Sequence, residues 1–211
     1  TNTTFPTRAG DFSGNGNTGI LTNGPTWSNG RLGKALSFDG SDDTSAIANE
    51  SNFDFERTQP FSASAWIYPD TNSAIRVIVG KRDSVSPTPG WEFFANALAA
   101  GRLRVVISNN STNNTIIVDA NPTIPLNAWS HVAFTYTGSS VASGVTIFIN
   151  GTAVASTNTQ DNLISSILTN ITPYIGSRNN ANSYWDGLID EVRVYNRALS
   201  AAEILSLYNS R

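Results

Sequence analysis

The chain contains no cysteine and no methionine, one histidine (His131) and two lysines, Lys34 and Lys81. Without cysteine there is no thiol nucleophile, no Cys-ligated zinc site and no disulfide framework. With one histidine, Ser-His or two-His metal chemistry would rest on His131 alone. Charge is scarce, at 14% of residues, with a net charge of -3 and a pI near 5.0. Phosphate affinity needs clustered cations, and the absence of any Lys/Arg block argues against nucleic-acid partners. No apolar run approaches the ~18 residues that a membrane-crossing helix requires, so membrane insertion is not expected. No signal-peptide pattern opens the chain. It begins at Thr1 without Met, the expectation for a mature product or an excised domain.

What is present is 211 residues with 39% apolar content, enough for one domain with a sizeable core. Asn, Thr and Ser dominate the polar residues. That composition, with so little lysine, points to an extracellular or cell-surface protein of microbial type. Seven Asn-x-Ser/Thr acceptors begin at Asn2, Asn49, Asn109, Asn110, Asn113, Asn150 and Asn170, as a chain this rich in Asn and Thr produces by chance.

Apolar residues recur with a period of two. Residues 61–68 place Phe61, Ala63, Ala65 and Ile67 on one face and Ser62, Ser64, Trp66 and Tyr68 on the other. Further strand patterns occupy 75–80, 91–95, 102–108, 115–119, 129–137, 145–149, 152–156, 172–176 and 187–195. Asn150-Gly151 predicts a type I′ hairpin, whose two central residues both need positive φ. Ser200 to Glu203 forms a capping box ahead of Ile204, Leu205, Leu207 and Tyr208, which predicts a short C-terminal helix. Residues 161–168 suit a helical turn or a loop. No linker or composition break divides the chain. The expected fold is all-β: a two-sheet antiparallel sandwich, one domain over 1–211, closed by that helix.

Several segments in order carry a resemblance: Asp11 to Asn17 (DFSGNGN), Gly33 to Gly40 (GKALSFDG), Phe61 to Ile67, Trp129 to Tyr136, Ile147 to Gly151, and Gly187 to Ser200. Together they resemble the laminin G-like jelly roll of the concanavalin A-like lectin/glucanase superfamily. The resemblance implies a jelly-roll sandwich, usually a module of a larger extracellular protein that binds glycans or proteins or acts as a spacer. Members usually open with a strand of the type aromatic-x-Phe-Asp, paired beside the C-terminal strand. Here the stretch before residue 11 is polar and contains Pro6, so that strand is expected to be missing or rerouted. An open sheet edge would follow, able to take a strand from another chain.

The Asp11 to Asn17 loop is rich in oxygen ligands and glycine. Asp190 shares parity with Leu188, Val192 and Val194, and an inward carboxylate is costly unless paired or metal-bound. The resemblance places a structural Ca²⁺ between these segments, with Asp11, Asn15, Asn17 and Asp190 as ligands. The alternative is that Asp190 caps backbone amides without a metal. Trp91, Tyr184 and Trp185 lie in or beside loop-forming segments, with Arg178 and Asn180 near the latter pair. These are the candidate ligand-binding residues, weighed against edge packing. Trp66, Trp129 and His131 share a face that could stack sugars or pack under loops. No catalytic residues are expected. Glucanases of the superfamily carry Glu-x-Asp-x-Glu along one strand; Asp54-Phe55-Glu56 is the nearest approach, and Asp190-Glu191 point to opposite faces. The sequence reading is a noncatalytic, lectin-like recognition or adhesion module with glycan or surface-protein partners. The alternative is a structural subunit of a surface assembly or filament, joined to copies of itself by strand donation.

Overall fold

The computed structural model describes residues 7–96, 101–110 and 112–210. Two antiparallel sheets face each other. The first has nine strands in the order β1 (Arg8–Ala9), β2 (Gly19–Thr22), β5 (Thr44–Ile47), β15 (Tyr174–Ile175), β7 (Arg76–Arg82), β8 (Gly90–Asn96), β9 (Arg102–Asn110), β10 (Asn114–Thr123) and β14 (Ser156–Asp161). The second has seven: β13 (Thr152–Ala153), β12 (Val145–Ile149), β11 (Ser130–Tyr136), β6 (Phe61–Pro69), β16 (Asp186–Tyr195), β4 (Lys34–Asp39) and β3 (Thr26–Asn29). This is the expected jelly-roll sandwich. Residues 161–168 form a loop that drops Leu163 and Ile167 into the core.

Alternation builds the interior. Phe61, Ala63, Ala65 and Ile67 of β6 meet Trp91, Phe93 and Ala95 of β8 within one continuous core. Phe61 lies at its centre, stacked on Phe55 at 4.7 Å and edge-on to Phe134 at 5.6 Å. Asn150 and Gly151 adopt φ of 50° and 78°, as the hairpin requires.

The outer face of the seven-stranded sheet is closed by α1 (Ala201–Asn209). Ser200 and Glu203 complete a reciprocal capping box. Bonds from Arg197 and Ser200 pull the Glu203 carboxyl down to about 2. Ile204 packs on Ala133, Phe148 and Leu199. Tyr208 stacks on Trp66 at 5.6 Å, and a Cβ on Gly151 would come within 2.9 Å of Leu205, so the helix sits tightly on the hairpin. Trp66 and His131 are therefore buried beneath a helix; only packing remains for them. Trp129 is half-buried, edge-on to Tyr68.

His131 is 2% exposed and its Nδ1 meets no hydrogen-bond partner among the described residues. Burial, with Arg193 adding like charge, lowers its pKa from 6.5 to about 4. The folded state thus binds fewer protons than the unfolded state between these values. The stability contribution is fully present above pH 6.5 and is lost as pH falls towards 4. Urea melts across that window should show stability rising with pH, and His131→Phe should flatten the slope. An unchanged slope in the variant would refute the assignment.

Candidate functional site

The sequence-predicted ligand residues separate into two groups. Trp91 and Trp185 are 1% and 0% exposed, so neither can face a ligand. Trp91 is not part of a loop. The strand begins at Gly90, and parity turns Trp91 inward, where its Nε1 donates to the Phe53 carbonyl at 3.2 Å. Trp185 is pinned by its backbone N–H to the Gly176 carbonyl at 2.7 Å, just ahead of β16, and its indole fills the core.

Arg178, Asn180 and Tyr184 are brought together in the loop that leads from β15 to Trp185. Arg178 and Asn182 pair across it, and Asn179 and Asn180 both take left-handed φ, of 46° and 49°. Those conformations suit asparagine. The loop is anchored at several points, among them the Ser183 carbonyl, which accepts from Val77 N at 3.0 Å. Arg76 Nη1 donates to the Tyr184 carbonyl at 2.6 Å. Asn179 Nδ2 donates to Asp83 Oδ1 at 3.3 Å. Arg178 forks onto Glu92, with Nε and Nη2 at 2.8 and 2.5 Å from the two carboxylate oxygens. Arg178 therefore anchors the loop. Asn180 and Asn182 are exposed, and Ser183 and Tyr184 half-exposed.

Glu92 is the residue that sequence reasoning missed. It is 1% exposed and also holds Arg82 at 3.4 Å. Burial keeps the Arg82 guanidinium below its ordinary pKa despite that carboxylate. The available signal was a lone acid between inward Trp91 and Phe93, hence on the opposite face of an otherwise apolar strand.

The proposed calcium ligands Asp11, Asn15, Asn17 and Asp190 line one cleft, but their hydrogen bonds differ. Asp11 accepts from Ser13 N, Ser13 Oγ and Asn17 N at 2.8–2.9 Å, and these amide bonds, led by Ser13, lower its pKa. The Asn15 carbonyl accepts from Asn49 Nδ2 at 3.0 Å, and Asn17 Oδ1 from Asn52 Nδ2 at 2.7 Å. Asp190 instead accepts from Leu32 N at 2.9 Å and Glu191 N at 2.8 Å. Burial raises its pKa, opposed by these amides. A Cβ on Gly30 would lie 2.5 Å from Asp190 Oδ2, so glycine there admits the carboxylate. The oxygens of Asp11, Asn17 and Asp190 thus accept from N–H or O–H donors of the chain itself, the arrangement of carboxylates that cap amides, where Ca²⁺ would want 6 to 8 converging oxygens. Asp190 also has the opposite parity to the one expected. Glu191 sits at φ 49° in a bulge against β6, and the extra residue resets the alternation, so that Ile189, Val192 and Val194 point inward and Asp190 outward.

Beside this bulge opens a cleft of about 640 Å³. Its described walls are the Asp11 to Asn17 loop and residues 190–195 of β16. Core residues Leu36, Ile47, Phe53 and Ile189 form its floor. Residues 1–6 of the stretch expected to lack the family's first strand lie outside the described residues. Arg8 and Ala9 pair with Ile20 and Gly19, on the edge of the nine-stranded sheet.

Comparison with known proteins gives one family match, to the model described as the concanavalin A-like lectin/glucanase superfamily, over residues 39–205. No curated protein matches. Among solved structures, the binding domain of Paraclostridial Mosquitocidal Protein 1 is 19% identical with TM-score 0.70, covering 94% of this chain and 48% of that chain. The chain thus spans about half the length of that binding domain. Domain 4 of AbnA, an extracellular arabinanase of Geobacillus stearothermophilus solved with arabinotriose, is 21% identical with TM-score 0.65, covering 94% and 92%. The CBM40 of a Ruminococcus gnavus sialidase, bound to alpha2,3 sialyllactose, is 15% identical with TM-score 0.59, covering 72% and 83%. At these identities the likeness is one of fold.

Proposed function

The chain belongs to the concanavalin A-like lectin/glucanase superfamily, and we propose that it is a noncatalytic, lectin-like recognition module of an extracellular or cell-surface protein, with carbohydrate as its ligand class. The observation that carries the reading is the Arg178 to Tyr184 loop. It is locked by the Glu92 ion pair and by Arg76, yet it presents Asn180, Asn182, Ser183 and the half-exposed Tyr184 outward. Amides and a hydroxyl held on a rigid scaffold can hydrogen-bond sugar hydroxyls with little ordering cost, and the tyrosine ring can stack on a sugar face. Two similar folds, the arabinanase domain and the sialidase module, were solved with an oligosaccharide bound, which supports this ligand class. The acids nearest to a hydrolase pattern are engaged elsewhere: Asp54 pairs with buried Lys81, and Glu56 accepts from the Arg57 amide.

Arabinotriose and sialyllactose are the first probes, followed by a wider oligosaccharide screen by calorimetry. Asn180→Ala and Tyr184→Ala should each weaken the ligand found by about tenfold, the loss of one or two good contacts, with the unfolding midpoint kept in Tyr184→Ala and lowered only slightly in Asn180→Ala, where alanine must take the left-handed φ. Failure of every oligosaccharide to bind at millimolar concentration, or wild-type affinity in both variants, would remove the reading.

A further inference from the structure

Lys81 is one of two lysines in the chain, and its side chain is 1% exposed. It stands opposite Trp91 in the ladder between β7 and β8, so both side chains take the inward face of the nine-stranded sheet. Both reach the segment that precedes β6, a 3-10 turn at Glu50–Phe53 followed by Asp54 and Phe55. Trp91 Nε1 donates to the Phe53 carbonyl at 3.2 Å, and Phe53 and Phe55, on either side of Asp54, belong to the core. Lys81 Nζ donates to the Glu50 carbonyl at 3.0 Å and to two carboxylates, those of Glu50 and Asp54. One amine and two carboxylates therefore meet at an aromatic end of the core.

A buried ammonium is costly unless it is paired, and one carboxylate is enough to neutralise it. Here there are two, and among the described residues Lys81 is the cation paired with either. The surplus carboxylate gives the group a composition that a simple ion pair does not need: an amine, an acyl group and a carrier for protons. In free solution an amine and a carboxylate do not condense, because water is in vast excess. Two groups fixed in contact behave as if at an effective concentration of about 10⁵ M or more, which reverses that balance. Lys81 is fixed by its strand and by Trp91, and Asp54 by its two buried neighbours. The carboxylates are about a third open, which leaves a way out for water.

We propose that Lys81 and Asp54 condense into an intramolecular isopeptide bond, with Glu50 carrying the protons. Glu50 takes a proton from Nζ, and the freed lone pair attacks Cγ of Asp54. The Nζ–Cγ bond forms, one Cγ–O bond breaks, and that oxygen leaves as water with two of the three ammonium protons, delivered through Glu50. One positive and one negative charge vanish together, nothing is oxidised or reduced, and no cofactor is consumed. Asp54 is the acyl partner because its short side chain is held between Phe53 and Phe55. The longer and more open Glu50 suits proton exchange. The bond would tie β7 to the segment ahead of β6, a covalent staple in a chain that has no cysteine for a disulfide. The site is separate from the Arg178 to Tyr184 loop, and each proposal can fail without the other.

The test is the mass of the intact chain under denaturing conditions, where an ion pair falls apart and an amide does not. The folded protein, once denatured, should weigh one water less than its sequence. Trypsin should then release peptides 35–57 and 77–82 as one branched species, uncut after Lys81, and fragmentation should place the link between Lys81 and Asp54. Lys81→Arg and Asp54→Ala should keep the full mass. They also guard against a cyclised Asp39-Gly40, which loses a water too but would do so in both variants. Glu50→Gln retains both reacting groups and should leave most of the chain unlinked. A wild-type chain at its full sequence mass would overturn the proposal. So would a link from Lys81 to Glu50, a water lost in either unreactive variant, or complete linkage in Glu50→Gln.

Discussion

Trp185→Ala should lower the free energy of unfolding by about 3–5 kcal/mol, the usual cost of truncating a fully buried indole. The side chain is 0% exposed and belongs to the main core cluster. Removing it leaves a cavity that the sheet cannot collapse around, because its neighbours are held in two ladders. Trp185→Phe should cost far less. The indole N–H meets no acceptor among the described residues, so phenylalanine deletes an unsatisfied buried donor while keeping most of the apolar contact. Urea unfolding of the two variants tests this. A Trp185→Ala protein with a wild-type midpoint and lost ligand binding would return Trp185 to the ligand surface. A large loss of stability with only a small loss from phenylalanine fixes it as core.

That contrast shows where the sequence was legible. Period-two alternation marked the strands, the Asn-Gly pair the turn at 150–151, and the Ser200/Glu203 spacing the helix cap, since each depends on local chemistry. The orientation of Asp190 was not legible, because it depends on one bulge. Glu191 adopts left-handed φ, a conformation that no local signal announces for glutamate, and every parity argument across it inverts. Trp91 and Trp185 were misplaced for a related reason. Both stand within one residue of a strand boundary, where a shift of one position decides between loop and core. The covering of Trp66 by Tyr208 joins residues far apart in the chain, so only the packed molecule could reveal it.

Glu92→Ala should be as costly as Trp185→Ala, about 3–5 kcal/mol, for an electrostatic reason. Glu92 is 1% exposed and holds Arg178 through two bonds and Arg82 through a longer contact. Removing it leaves the buried Arg82 and the half-buried Arg178 guanidinium groups close together without the carboxylate that both share. Glu92→Gln should fall between, since it keeps the acceptor oxygen and the shape but not the charge. The physics makes a sharper statement. A buried ion cluster is costly to break but not to replace, so the triple change Arg82→Met, Glu92→Leu, Arg178→Met should destabilise less than Glu92→Ala alone. If the triple variant proves the least stable, these side chains contribute net stabilisation rather than mutual neutralisation. The cluster also joins fold to function, because Arg178 opens the loop that carries Asn180 and Tyr184. In Glu92→Gln the loop loses its fork, so oligosaccharide affinity should drop although Glu92 touches no ligand. Restoring affinity with a preorganised loop, while the midpoint stays low, would show that the glutamate acts on binding by holding the loop.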